Sequence, residues 1–197
     1  MKQAILFGTN NAHKLREIRE ILGDIYQVLS LRDVGIEQDV EETELTLQGN
    51  AELKVRAFYE LAKLPCFADD TGLEVHTLDG RPGVFSARYA GEDCSATDNV
   101  RKLLGEMEGK TDRTAVFKCV IAYYDGKSIQ YFPGEISGKI IETPHGEGGF
   151  GYDPVFQPEG YDKTFAELPS EEKNSISHRK RAVEKLATFL LNGNPTT

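Results

Sequence analysis

The beginning of the chain alternates between short apolar runs and a helical pattern, and this alternation constrains the fold more than any other feature. Residues 4–7 are apolar and end at Gly8, which is typical of a short buried strand. Apolar residues recur at helical spacing over 12–23 and predict an amphipathic helix. Residues 26–31 predict a second strand. A strand, a turn, a helix and a strand are the opening of an α/β protein.

The remainder of the chain continues this mixture of elements. Thr46 is predicted to cap a helix that runs to about residue 63, and 96–107 carry a second helical pattern. Asp125-Gly126-Lys127 separates two β-rich runs and predicts a hairpin. Residues 136–142 are predicted to continue the sheet of this hairpin. Apolar residues along 183–190 predict a final helix. The sequence therefore predicts a mixed α/β fold with a substantial antiparallel element, in one domain spanning residues 1–197.

Composition excludes several classes of protein. The formal net charge of −9 argues against tight duplex binding, which depends on many Lys and Arg contacts with phosphates. No apolar stretch approaches the ~20 residues of a membrane span, and we expect no signal peptide before the first strand. We therefore predict a cytoplasmic protein that binds neither nucleic acid nor membrane. Residues 192–197 are predicted to form a loose tail.

The three cysteines are dispersed along the chain. Cys66, Cys94 and Cys119 include no CxxC pair, so they are poor material for a disulfide framework or a zinc site. Cys119 lies in the apolar run 115–124, which predicts a small buried hydrophobic residue.

The segment between the first strand and the first helix is a candidate anion site. Free backbone N–H groups and the helix dipole favour an anion there, and Lys14 adds a positive charge. The spacing of a Walker P-loop is absent, and an ordinary helix N-cap accounts for the segment equally well. The residues concerned are Thr9, Asn10, Asn11, Ala12, His13 and Lys14.

An acidic segment, Asp69-Asp70-Thr71-Gly72, is predicted to be a turn between strands at 66–68 and 73–75. Two adjacent carboxylates beside a core are costly unless they meet a cation. Glu41 and Glu42 offer a second source of carboxylates, and one carboxylate from each segment suits Mg²⁺. Taken alone, an acidic turn with local hydrogen bonds also accounts for the motif.

Two segments near the end of the chain could recognise a base. Four glycines surround Phe150 within 146–151, and its flat ring offers a stacking surface. The densest basic cluster lies within 171–181, at the start of the last helix, where cations oppose the helix dipole and favour a nearby anion. His178 and Arg179 in that cluster are donors for the edge of a base, although a solvated helix face is the simpler interpretation of each residue alone.

Together these segments match a known family. The chain resembles the inosine triphosphate pyrophosphatases, also called non-canonical purine nucleoside triphosphate pyrophosphatases. Seven motifs occur in the family's order between Thr9 and Arg179: Thr9-x-Asn11-x-x-Lys14, Glu41-Glu42-Thr43, Asn50-Ala51-x-x-Lys54, Ala68-Asp69-Asp70-Thr71-Gly72-Leu73, Pro82-Gly83-x-x-Ser86-Ala87-Arg88-Tyr89, Gly148-Gly149-Phe150-Gly151-Tyr152-Asp153-Pro154 and Ser177-His178-Arg179.

The resemblance implies an activity and roles for individual residues. Such enzymes use Mg²⁺ to cleave ITP, dITP and XTP between the α- and β-phosphates, which keeps these nucleotides out of DNA and RNA. Carried over by motif, Asp70 is the general base and a metal ligand, and Glu41 is the second metal ligand. Phosphate and sugar would be bound by Thr9, Asn10, Asn11, Ala12, His13, Lys14, Lys54 and Thr71, and the purine by Phe150, Gly151, Tyr152, Asp153, Lys173, His178 and Arg179.

The resemblance also implies an elongated mixed sheet with flanking helices, two lobes around a deep nucleotide-binding cleft, and a homodimer. Small departures from the family's pattern concern only local helix stability and fine substrate preference. Glu44 stands where many relatives have Gly, Gly49 stands where Glu is common, and Thr71 replaces a frequent Ser.

Three other interpretations remain open at this point. The related Maf-like enzymes share the broad fold but act on other nucleotides, and the Phe150-Gly151-Tyr152-Asp153 and Ser177-His178-Arg179 motifs disfavour them. A non-catalytic nucleotide-binding protein would gain nothing from the paired acidic segments, and a structural protein would leave the glycine-rich segment unexplained. Pyrophosphate release from ITP, XTP, dATP and dTTP, with Mg²⁺ and with EDTA, separates all of them.

Base selectivity supplies the first testable prediction. Hypoxanthine and xanthine present an acceptor at C6 and a donor at N1, whereas adenine reverses both. Donors on His178 and Arg179 would be left unpaired by adenine, a penalty that can reach about 10⁴-fold. Arg179→Ala should therefore erode the preference for ITP over ATP, measured as the ratio of kcat/KM, and unchanged selectivity would refute this role for Arg179.

Overall fold

The computed structural model describes residues 2–192 of the 197-residue chain. The predicted loose tail therefore lies, apart from Asn192, outside the described residues. The principal elements, in chain order, are β1 (Gln3–Phe7), α1 (Ala12–Leu22), β2 (Tyr26–Leu29), α2 (Leu47–Ala62), β3 (Cys66–Val75), β4 (Pro82–Gly83), α3 (Ala96–Glu106), β5 (Thr114–Tyr124), β6 (Ile129–Ile140), β7 (Phe156–Pro158), α4 (Ser170–Ile176) and α5 (His178–Leu191).

The described chain divides into two compact units. Unit 1 contains residues 2–70, 119–134 and 179–192, and unit 2 contains residues 71–118 and 135–178. The boundary falls within β3, so that Asp70 belongs to unit 1 and Thr71 to unit 2. The prediction of one domain spanning 1–197 stays a prediction.

Unit 1 is built on strands in the order β2-β1-β3-β5-β6. β1 runs parallel to both β2 and β3, and its pairing with β3 places Phe7 opposite Phe67. The two rings stack with their centroids 4.7 Å apart. Buried residues of α1 and α5, including Ile18 and Val183, belong to the same core cluster as Phe7, whereas α2 contributes Phe58 to a second cluster. Apolar burial by three helices thus stabilises this part of the sheet.

Unit 2 is built on strands in the order β3-β5-β6-β7, and β4 pairs with β3. The β3–β4 pair is antiparallel and places Leu73 opposite Gly83. β7 is antiparallel to β6. The core of this unit brings Leu103 of α3 together with Phe156 and Phe165, whose rings lie 5.2 Å apart.

Most predicted elements are confirmed. Asn11 caps α1, and Thr46 caps α2 by accepting a hydrogen bond from the amide of Gly49 at 3.0 Å. β5 and β6 are neighbouring strands joined through residues 125–128, a connection so short that the two strands must be antiparallel. The predicted strand at 136–142 is the continuation of β6 as far as Ile140. The mixed α/β class is therefore confirmed.

The prediction of a turn at Asp69-Asp70-Thr71-Gly72 is wrong, because β3 runs without interruption through these residues. Asp and Gly favour turns because of their local hydrogen bonding and conformational freedom. Here the extended backbone is held by long-range partners instead: the amide of Gly8 donates to the carbonyl of Phe67, and Lys54 Nζ donates to that of Asp69 at 2.6 Å. Tertiary contacts thus override the local preference.

Glu44 and Gly49, the two departures from the family's pattern, are neighbours in space. A Cβ placed on Gly49 would lie 2.8 Å from the Cβ of Glu44. The side chain of Glu44 therefore occupies space that a side chain at 49 would need. The two departures are complementary, because the glycine at 49 accommodates the larger residue at 44.

Candidate functional site

The segment between β1 and α1 forms a well-ordered helix cap. The side-chain oxygen of Asn11 accepts hydrogen bonds from the amides of His13 and Lys14 at 2.9 and 3.2 Å, and Thr9 Oγ1 accepts one from the amide of Asn11. Asn10 and Ala12 are exposed. The interpretation as an N-cap is confirmed, and phosphate binding by Thr9, Asn10, Asn11, Ala12, His13 and Lys14 stays a prediction.

Asp69 is the most buried carboxylate of unit 1 and is surrounded by cations. Its two oxygens accept hydrogen bonds from Lys14 Nζ at 3.1 Å and from Arg179 Nε at 3.2 Å. Burial by itself would raise the pKa of Asp69, but the charges of Lys14, Arg179 and Lys54 outweigh it and hold the pKa below its ordinary value. Asp69 is therefore an ionised anchor for Lys14 and Arg179 at neutral pH.

Asp70 has a different environment although it is the next residue. Lys54 Nζ donates to its Oδ1 and Asn50 Nδ2 to its Oδ2, both at 3.2 Å. Burial raises the pKa of Asp70; Lys54 opposes this shift, but the negative charge of Glu42 adds to it. Neighbouring carboxylates thus have shifts in opposite directions, which is a pattern found where one of them accepts protons.

Lys54 joins the segments around Asp70. Its ammonium group contacts Glu42 at 2.8 Å, the carbonyl of Asp69 and the carboxylate of Asp70. Burial would lower the pKa of Lys54, but the charges of Asp70, Glu42 and Asp69 raise it overall. The side chain consequently remains charged at neutral pH.

Asn50 and Glu17 belong to this cluster but were not predicted as site residues, whereas Glu42 was considered with Glu41 as a source of a carboxylate. Asn50 precedes Lys54 by four residues, so helical spacing places both on the buried face of α2. Glu17 follows Lys14 by three residues on α1 and is buried in an ion pair with Arg179. A polar residue on the apolar side of a predicted helix, Asn50 in α2 and Glu17 in α1, was the available signal.

Arg179 is buried within unit 1. Its guanidinium donates to Asp69 and Glu17, and both partners are carboxylates with little exposure. Replacing Arg179 with Ala would therefore leave these two carboxylates without this cation. The predicted contact of Arg179 with a purine stays a prediction.

Carboxylates are available for a magnesium ion, although they do not form a large cluster. Among residues 2–192, no group of three or more His, Cys, Asp or Glu side chains is arranged to hold a metal. Mg²⁺ needs only one or two protein carboxylates, because water and substrate phosphate complete its shell. Asp70 and Glu42 share one ammonium group, so the donor set fits a cation. Glu41 is exposed, and its role as a ligand stays a prediction.

In unit 2, the glycine-rich segment is organised by Asp153. Its Oδ2 accepts hydrogen bonds from the amide of Phe150 and from Lys173 Nζ, both at 2.7 Å. Lys173 Nζ also lies 4.9 Å from the centroid of the half-buried Phe150 ring. Gly149 has a φ of +70°, and a Cβ there would lie 2.0 Å from Asp153 Oδ2. The structure thus brings together Phe150, Asp153 and Lys173.

The other predicted residues of unit 2 are placed as follows. Tyr152 is buried and donates a hydrogen bond from its hydroxyl to the carbonyl of Ser86 at 2.9 Å. His178 is buried and stacks on Phe117, with ring centroids 4.8 Å apart. Thr71 is a half-buried residue of β3, and Gly151 has a φ of +62°.

Two further predictions concern Cys119 and membrane-spanning helices. Cys119 is buried, as predicted, and its sulfur lies 3.8 Å from Asp69 Oδ2. No helix within residues 2–192 has the length and apolar character that crossing a membrane requires.

Residues 5–189 match the sequence model of the Ham1 family. The chain belongs to the Ham1 family. This assignment confirms the resemblance indicated by the seven motifs. A dITP/XTP pyrophosphatase from Porphyromonas gingivalis is 51% identical over 190 residues, covering 96% of this chain and 98% of that protein. A protein of the same name from Bacillus subtilis is 45% identical over 194 residues, covering 96% and 98%.

Solved structures of the family have the same fold. A HAM1 protein from Coxiella burnetii has a TM-score of 0.89 with 37% identity, covering 97% of this chain and 100% of that chain. The Ham1 protein of Staphylococcus aureus has a TM-score of 0.87 with 41% identity, covering 96% and 99%.

The contacts of Lys54 predict a large loss of stability when its charge is removed. Lys54→Met keeps much of the apolar stem but leaves Asp70 and Glu42 without their shared cation. We expect the free energy of unfolding in urea at neutral pH to fall by about 3 kcal/mol. Lys63→Met is the matched control, because Lys63 pairs with Glu60 at the exposed surface, and it should change stability little. Equal effects of the two substitutions would contradict this account.

Proposed function

We propose that this chain hydrolyses the non-canonical purine nucleoside triphosphates dITP, XTP and ITP to the monophosphate and pyrophosphate, so that they are not incorporated into DNA or RNA. The names of the family's relatives support this substrate class. The observation that carries the proposal is the contrast in partners of two adjacent buried carboxylates: Asp69 lies between Lys14 and Arg179, whereas Asn50 and Lys54 each hold one oxygen of Asp70. An ionised anchor beside a carboxylate with a raised pKa suits proton transfer in hydrolysis.

Asp70 is the proposed general base. An ordinary Asp has a pKa near ~4 and is a weak base at neutral pH, so a raised pKa makes it a better one. Asn50 and Lys54 each hold one oxygen of Asp70, which fixes the direction in which it accepts a proton from a water molecule. That water would attack the α-phosphorus in line with departing pyrophosphate.

Lys14 and Lys54 are proposed to bind the phosphates. Each ammonium group already faces carboxylates, and a triphosphate offers several further anionic oxygens to the same groups. The charge that develops on the leaving pyrophosphate would be offset by these two cations. Thr9, Asn10, Asn11, Ala12, His13 and Thr71 complete the proposed phosphate and sugar contacts.

Magnesium is the proposed cofactor, with Asp70 as one ligand and the acidic segment as the source of another. When bound, Mg²⁺ would acidify a coordinated water and neutralise phosphate charge. The motif assigned the second ligand to Glu41, whereas Glu42 is the residue whose carboxylate contacts Lys54 beside Asp70. The contacts therefore favour Glu42.

Recognition of the purine is proposed for the residues of unit 2. Phe150 would stack on the base, and Lys173 and His178 would donate to the oxygen at C6, supported by Gly151, Tyr152 and Asp153. Arg179 would add a donor, and its ion pairs with Asp69 and Glu17 indicate that it also holds the Asp69 cluster. A homodimer, a cytoplasmic location and the absence of nucleic-acid partners remain proposals from the resemblance and the charge.

The decisive experiment measures pyrophosphate release. With Mg²⁺, the protein should hydrolyse ITP and XTP far faster than dATP and dTTP, and EDTA should abolish turnover. Asp70→Asn should lower kcat by about 100-fold or more, because the amide cannot accept the proton. Asp162→Asn, the same change at an exposed carboxylate, is the control and should retain activity. Near-normal kcat in Asp70→Asn would refute the assignment.

The acidic segment yields a separate prediction. Glu42→Gln should raise the Mg²⁺ concentration that gives half-maximal activity, because a neutral amide is a poorer ligand for a hard cation. Glu41→Gln serves as the matched control and should have the smaller effect. If Glu41→Gln has the larger effect in a magnesium titration of ITP hydrolysis, the assignment by motif is correct and our preference for Glu42 is wrong.

A further inference from the structure

The motif Pro82-Gly83-x-x-Ser86-Ala87-Arg88-Tyr89 has no role in the proposed function, although Ser86 within it contacts two other segments of the chain. Ser86 is 8% exposed and lies at the start of a short 3-10 turn. Its hydroxyl accepts a hydrogen bond from the amide of Leu73 at 2.9 Å and donates one to the carbonyl of Gly83 at 2.6 Å. Its own carbonyl accepts from the hydroxyl of Tyr152. Ser86 thus joins its own turn to β3 through Leu73 and to the glycine-rich segment through Tyr152.

The hydrogen bond between the Leu73 amide and the Ser86 hydroxyl restrains the backbone of β3. β4 has only two residues, and its register with β3 places Leu73 opposite Gly83. The Ser86 hydroxyl satisfies the Leu73 amide in a part of the strand where β4 is ending. Leu73 lies three residues after Asp70 in the chain, so Ser86 restrains the backbone that continues from the proposed base.

The second contact restrains the glycine-rich segment. Tyr152 is 4% exposed, and its ring belongs to the same apolar cluster as Leu73. Its hydroxyl is engaged by Ser86, whereas the Asp153 carboxylate holds the amide of Phe150 at 2.7 Å. Phe150 lies between Gly149 and Gly151, which both have positive φ. The next two residues, Tyr152 and Asp153, are each held by a hydrogen bond. These anchors offset the freedom that the glycines confer.

We infer that Ser86 is a positioning residue for substrate recognition, which acts through Tyr152 to hold Phe150 in the orientation that stacks on the base. Tyr152 then contributes its hydroxyl to the scaffold, and contact with the purine is left to Phe150 and to the proposed donors Lys173, His178 and Arg179. The inference rests on the proposed function, because it assumes that Phe150 meets a purine. It assigns a task to a motif that would otherwise be purely structural.

Tyr152→Phe tests the inference, because it deletes one oxygen and retains the ring. Loss of this buried hydrogen bond should raise KM for ITP and Kd for IMP by about tenfold. The value of kcat should stay within about threefold, since Asp70 is untouched. Inhibition by pyrophosphate, which has no base, should be unchanged. Tyr161→Phe is the matched control, because Tyr161 packs against the same cluster, whereas the hydrogen bonds of Ser86 go to Leu73, Gly83 and Tyr152.

Ser86→Ala provides a second, independent variant. It removes the hydroxyl that holds Leu73 and Gly83 but keeps the carbonyl, so KM for ITP and Kd for IMP should rise in the same direction by a smaller factor. The melting temperature of each variant shows whether its effect on binding comes from a general loss of stability. The inference is overturned if either variant leaves both KM and Kd unchanged, or if pyrophosphate inhibition weakens as much as IMP binding. Failure of the wild-type protein to hydrolyse ITP would instead overturn the proposed function.

Discussion

The burial of two adjacent carboxylates on β3 is the constraint on which the rest of unit 1 depends. Moving an ion out of water costs several kcal/mol even after the protein relaxes, so Asp69 and Asp70 require compensation. Helices α1, α2 and α5 supply it through Lys14, Lys54 and Arg179. These ion pairs compensate the cost of burying the two carboxylates, and they join three helices that are distant in sequence to β3. They also leave the pKa of Asp69 lowered and the pKa of Asp70 raised.

A buried ion pair also organises the glycine-rich segment of unit 2, with fewer charges than the cluster around Asp69 and Asp70. The buried pair of Lys173 and Asp153 holds the amide of Phe150, and the ammonium group lies near the face of the same ring. Gly149 is required beside it, because any side chain would meet the Asp153 carboxylate. Glycines here permit close approach, whereas the acidic residue removes the flexibility that glycines would otherwise introduce.

Elements with strong local signals were predictable from the sequence. The periodic apolar faces of α1, α2 and α3 and the Asp125-Gly126 hairpin were all located correctly, because hydrophobic spacing and caps act over a few residues. The prediction of a turn at 69–72 was wrong because contacts distant in sequence, and not local preference, decide the conformation there. The strand conformation depends on β1 and on Lys54, partners far away in the sequence that local preference cannot include.

The sequence by itself determined the mixed α/β class, the family and the residue types of the candidate site, because each is carried by periodicity or by collinear motifs. Only the tertiary structure decided how those residues are divided: Asp69 anchors Lys14 and Arg179, Asp70 faces Lys54 and Asn50, and Glu42 joins them. Burial and pairing set a carboxylate's pKa, and both depend on neighbours contributed by other elements. The motif Asp69-Asp70 therefore names two identical side chains, and only their surroundings make one an anchor and the other the proposed base.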